Sequence, residues 1–191
     1  KGQSIKPVVQ TLGRMLRFFY HTGLISSVPF HAEDIERLPN QPINKAHVPS
    51  KADVEAVLNC FDELWMEVMV RLGAETGMRI SEILALTWGD LGRHVITSST
   101  VDKKINPTKS LTSNREIKLS AKLISQLAEL KLGRNQTKKK DFLFTNENGL
   151  LFTSSDAIKR VLKPAICRAN VKEFGWRGLR SFYINELMDQ N

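Results

Sequence analysis

The sequence predicts a mainly α-helical protein with a small antiparallel β-sheet on one side. Two observations point there. Apolar residues recur at helical spacing in one segment after another, whereas strand-like texture is confined to residues 94–119. Strands do not alternate with helices, which excludes a doubly wound parallel sheet.

Taken in order, residues 5–25 form the first expected helix. Val8, Leu12, Met15, Leu16 and Phe19 share one face, Pro7 is tolerated near the start, and Gly23 is placed to stop it. A short second helix is expected over Ala32–Leu38. Pro39, Pro42 and Pro49 then crowd a stretch without periodicity, the best domain boundary in the chain. It separates a unit over residues 1–40 from one over 50–191, with 41–49 as linker. The second unit opens with Ser50 and Asp53 in a capping-box pattern, ahead of Val54, Val57, Leu58 and Phe61. Another helix is expected from Glu63 to Thr76, with Leu64, Trp65, Val68 and Leu72 inward and Gly77 as its stop. A third follows at once and carries Ile80, Ile83, Leu84 and Leu86. His94–Val101 and Arg115–Leu119 are the expected strands, around a Pro/Asn/Ser-rich turn. Helices return over Ala121–Leu132, Ser155–Arg168 and Leu179–Met188.

Composition narrows the function. Of 191 residues, 41% are hydrophobic and 25% charged, enough apolar material for an ordinary core. Lys and Arg number 28 against 20 Asp and Glu, a formal net charge of +8, and the pI is near 9.6. That surplus lowers the electrostatic work of approaching a polyanion, so nucleic acid heads the expected partners. A membrane surface is disfavoured because the basic residues are spread along the chain and not gathered on one amphipathic helix. Apolar runs of membrane-spanning length are missing and the first residues do not form a signal peptide. Lys1-Gly2-Gln3-Ser4 does not look like a natural start, so the chain is expected to be cut from a longer protein. Cys60 and Cys167 are isolated, as reduced thiols of a cytosolic protein would be. His21, His31, His47 and His94 lack metal-ligand spacing, and neither metal nor cofactor is expected. The run Lys138-Lys139-Lys140 reads as a solvated loop.

The informative stretch is Thr76-Gly77-Met78-Arg79-Ile80-Ser81-Glu82-Ile83-Leu84-Ala85-Leu86-Thr87-Trp88-Gly89-Asp90-Leu91. Alone, Arg79 would read as a surface arginine at a helix start. The ordered stretch around it closely resembles the first arginine box of tyrosine recombinases, the phage-integrase family. Thr108-Lys109-Ser110 resembles the family's hairpin lysine, with Lys103 and Lys104 as nearby rivals. Gly175-Trp176-Arg177-Gly178-Leu179-Arg180-Ser181-Phe182 resembles the second box, His-X-Leu-Arg-His-Thr-Phe, and Arg180 falls on its arginine.

The resemblance implies a DNA breaking–rejoining catalytic domain over 50–191, incomplete at its C-terminus, preceded over 1–40 by the end of a helical core-binding domain. It implies strand exchange on double-stranded DNA through a 3′-phosphotyrosine, an active tetramer on DNA, and a cytoplasmic, DNA-associated protein of bacterial or phage origin. Arg79, Lys109, Arg177 and Arg180 would be the catalytic set. Arginine suits a phosphate because its planar fork donates paired hydrogen bonds and stays charged. A hairpin lysine would protonate the leaving oxygen, help worth about 10²–10⁴-fold. Glu82 would brace Arg79, although an ordinary exposed helical carboxylate is the other reading. The sequence departs from the family where Arg177 replaces the usual His, since arginine cannot accept a proton. Tyr20 and Tyr183 are the only tyrosines, and neither sits where the family's nucleophile would, so the nucleophile is expected outside these residues. A catalytically inactive DNA-binding module or regulator on the same fold is the alternative, and a basic helical scaffold for a protein partner a third.

Overall fold

The computed structural model describes residues 5–29, 47–92, 98–101, 104–107, 117–134, 138–146 and 148–189. The chain divides into two compact units, Lys1–Lys45 and Ala46–Asn191.

In the first unit, helix α1 runs Ile5–His21. It ends four residues earlier than the spacing of its apolar residues suggested. Gly23 adopts φ +75, and Leu24 N–H donates to Phe19 O at 2.9 Å while Gly23 N–H donates to Tyr20 O at 3.1 Å. These two bonds make a left-handed glycine cap that satisfies the last carbonyls. The expected helix over Ala32–Leu38 lies outside the described residues.

The second unit opens with α2 (Lys51–Leu58), whose capping box is complete: Asp53 N–H donates to Ser50 Oγ and Ser50 N–H to the Asp53 carboxylate. Hydrogen bonds from the Ser50 side chain and backbone hold the exposed Asp53 carboxyl below its ordinary range. Helix α3 (Leu64–Thr76) is buried on most of its circumference, with Val68, Met69 and Val70 all at 0% exposure, and is the axis of the core. Each such side chain contributes about 1.5–3 kcal/mol on burial. After the short helix α4 (Ile80–Leu84) the chain turns through a single 3₁₀ turn, Asp90–Gly92.

Strand β1 (Ser98–Val101) pairs antiparallel with β2 (Lys104–Pro107), in the register Ser98↔Pro107 to Val101↔Lys104. Lys104–Pro107, read from the sequence as part of the turn, is thus a strand, while residues 94–97, 115 and 116 of the two expected strands lie outside the described residues. The partner of β1 is the segment immediately following it, because the register leaves only two residues between the paired ends, the commonest hairpin spacing. Ile117–Leu119 is described and is not a strand, and no larger sheet exists among the described residues.

Helix α5 (Ala121–Leu132) is capped by Ser120, whose Oγ accepts from Leu123 N–H. The segment expected as one helix over 155–168 is a composite: α6 (Ser154–Asp156), a π-helical stretch (Ala157–Leu162) and α7 (Lys163–Ala169). Pro164 gives the physical reason. It has no N–H and its ring crowds the preceding turn, and the wider register, in which Lys163 N–H reaches back to Ile158 O, makes room for it. The last helix, α8 (Trp176–Asp189), starts three residues earlier than expected. Gly178 and Leu179 N–H both donate to Gly175 O, and buried Trp176 anchors the first turn against Gly73 of α3. Cys60 and Cys167 are both free.

Candidate active site

The site forms where α3 ends. The Thr76 hydroxyl donates to Leu72 O within the helix and accepts from Met78 N–H at 3.3 Å, closing the turn from inside. Gly77 takes φ +60, a left-handed conformation, and a Cβ added there would strike the Tyr183 ring. Two constraints thus select glycine.

Past the turn Arg79 is extended (φ −70, ψ 148) and precedes α4. Its N–H donates to Glu82 Oε2 at 2.9 Å and its Nη1 to Glu82 Oε1 at 2.9 Å. One carboxylate therefore fixes both backbone and side chain of Arg79. Glu82 is 3% exposed, so the reading of it as an exposed helical carboxylate is corrected. The Arg79 side chain is 58% exposed. A buried acid thus holds a largely exposed guanidinium in one orientation, as a cationic hydrogen-bond donor that an anion can reach.

Arg180 reaches the same turn from α8. Its Nη1 donates to Gly77 O at 2.5 Å, across 103 residues of sequence. The two arginine boxes are thereby joined at Gly77. Arg177 lies one turn before Arg180 in the first turn of α8, where i and i+3 share a face, and is exposed. Lys109 and Lys103 lie outside the described residues. Lys104 stands at the start of β2. No group of three or more metal-ligating side chains occurs among the described residues.

The rest of the first box has a packing role. Asp90 accepts from Thr87 N–H at 2.8 Å and from the Thr87 hydroxyl at 2.7 Å, tying off the turn after α4. Trp88 is buried beneath the Arg134 guanidinium, 5.9 Å from the ring centroid. Burial pushes the Arg134 pKa down, and its Nη1 donates to Leu143 O at 2.9 Å. Gly89 N–H donates to Lys139 O at 2.7 Å, an approach that leaves no room for a side chain. Sequence reading did not assign Arg134 or the Tyr183–Gly77 contact. A glycine fixed beside an arginine hints at a neighbour pressed against it, but not at which one.

Residues 50–190 match the phage integrase family. The prophage integrase IntR of Escherichia coli (strain K12) is 25% identical over 187 residues, covering 91% of this chain and 43% of the relative. The chain thus spans less than half the length of that relative. Among solved structures, the Tn1549 transposon integrase in complex with a circular intermediate DNA aligns with a TM-score of 0.77 at 17% identity, over 99% of this chain and 67% of that one. A lambda integrase dimer bound to a COC′ core site gives 0.67 at 14% identity, over 100% and 68%. XerA recombinase gives 0.61 at 20% identity, over 80% and 53%. The match over nearly all of the second unit, where Arg79 and Arg180 meet at one turn, means that the chain belongs to the phage integrase family.

Proposed function

We propose that residues 50–191 are the catalytic domain of a tyrosine-type site-specific recombinase and that residues 1–40 close a core-binding domain. The protein acts on double-stranded DNA, as a tetramer of the longer gene product, in the cytoplasm and without a cofactor. The observation that carries this reading is the meeting of Arg79 and Arg180 at the Gly77 turn. Two charged forks, one from the turn ahead of α4 and one from α8, can hold one scissile phosphate and stabilise the charge that grows on its non-bridging oxygens. Loss of one such donor costs about 3–4 kcal/mol in the barrier. Arg177, exposed on the same helix, donates to the phosphate but accepts no proton. Lys109 delivers the proton to the leaving 5′-oxygen, and Glu82 keeps Arg79 in place. The attacking tyrosine lies outside these 191 residues, since Tyr183 is packed on Gly77 and Tyr20 belongs to α1.

Arg79→Ala in the full-length gene product is expected to abolish strand exchange while duplex binding largely survives. Undiminished recombination would sink the role of Arg79. Reading the gene beyond the codon for Asn191 tests the nucleophile directly, since the proposal requires a tyrosine there. A second reading, a DNA-binding module without catalysis, is favoured by Arg177 at the usual His position. It predicts binding that weakens steeply with salt and no covalent protein–DNA adduct.

A further inference from the structure

Tyr183 is not placed to be the nucleophile, yet its position is specific. A Cβ built on Gly77 would lie 3.0 Å from Tyr183 Cγ and 3.1 Å from Cε1, so the ring covers the glycine without a gap. Three residues earlier on the same face of α8, Arg180 holds the Gly77 carbonyl at 2.5 Å. One helix face therefore grips this turn twice, by a charged hydrogen bond and by an aromatic plate. From inside, the Thr76 hydroxyl braces it. Arg79 follows two residues later with its guanidinium largely exposed and fixed by Glu82. Any tilt of the turn would swing that guanidinium.

We propose that Tyr183 is a positioning residue: its ring, laid over Gly77, holds the Thr76–Arg79 turn so that Arg79 meets the scissile phosphate in one place. The role rests on the recombinase reading above. It is the ring that acts and not the hydroxyl, because the contacts at Gly77 are ring carbons. Small displacements at a reacting centre are costly, about a hundredfold in rate for 1 Å.

The test compares Tyr183→Phe, Tyr183→Leu and Tyr183→Ala in the full-length gene product, with a plasmid carrying the DNA that flanks its gene. Covalent protein–DNA adduct is measured against time at saturating DNA, and Kd separately. In the 191-residue chain, amide exchange at Met78 and Arg79 is followed alongside Tm. Tyr183→Phe is expected to match wild type. Tyr183→Ala is expected to lose about tenfold or more of the saturated rate, with Kd unchanged and faster exchange at the turn; Tyr183→Leu should fall between them. An unchanged rate in Tyr183→Ala overturns the role, as does a loss carried by Kd or one shared by Tyr183→Phe. Unaltered exchange in Tyr183→Ala and Tyr183→Leu overturns the clamp even if rates fall. A wild-type protein that forms no adduct overturns the recombinase reading and takes this role with it, whatever the exchange shows.

Discussion

Glu82 and Gly89 show how differently two residues of one motif contribute. Glu82 is nearly inaccessible and turns both oxygens to Arg79, so in the proposed site it would act through the arginine. Gly89 has a backbone role instead. It lets the chain after α4 approach the Lys139 carbonyl closely enough for a 2.7 Å hydrogen bond. Gly89→Ala would place a Cβ 2.8 Å from that carbonyl oxygen, and backbone cannot give way as a flexible side chain does. It is expected to cost about 1–3 kcal/mol, read as a lower urea midpoint at unchanged slope, with the Arg79 turn intact. Gly77, Arg79 and Glu82 were legible because they fall within six consecutive residues. Tyr183 was not, because its partner lies at the end of a different helix and nothing in the spacing of α8 names Gly77.

Among the elements, α3 does most to organise the second unit. It presents Gly73 to Trp176 and Leu179 of α8 and a polar stripe to α5. In that stripe Arg71 bridges Glu67 at 2.6 Å and Glu75 at 3.3 Å, and Gln126 of α5 donates to Glu67 at 2.8 Å. Burial alone would raise the Glu67 pKa, but the hydrogen bonds from Arg71 and Gln126 and the Arg71 charge outweigh it and leave the carboxyl below its ordinary value. A carboxyl lowered in the folded state stabilises fully above the ordinary carboxylate range, and that stability drains away as pH falls through the folded value. Glu67→Gln is therefore expected to lower stability at pH 7 and to flatten its decline below about pH 4.5, as acid titration of the unfolding midpoint would show. An undiminished acid decline in Glu67→Gln would mean that this tie does not contribute to acid sensitivity. Helices α3 and α5 could be read from the sequence because glycine and serine caps mark their ends. Strand pairing could not, since hydrophobic alternation gives no partner. The start of α8 was hidden for a related reason: Gly178 weakens the helix signal of the first turn, whereas burial of Trp176 holds that turn helical.

At the scale of the molecule, the division between Lys45 and Ala46 falls within the proline-rich stretch that marked the boundary in the sequence. The net charge of +8 belongs to the whole chain, and its expected signature is a binding constant for duplex DNA that falls steeply with salt. Each neutralised phosphate adds about 0.9 to the slope of log K against log salt. Arg79→Ala is expected to reduce that slope by about one, measured by titration at several salt concentrations. An unchanged slope would place Arg79 away from the phosphates. No helix of the described residues is long and apolar enough to cross a membrane. The π-helical stretch Ala157–Leu162 has a consequence for comparing this chain with relatives. Closing a ring over five residues instead of four inserts one residue into the helix without lengthening its path. Residues after Lys163 are thus rotated by one position relative to those before Ala157. A relative lacking the proline at 164 is expected to be one residue shorter here, and a gapless alignment through this helix would pair inward-facing positions with outward-facing ones.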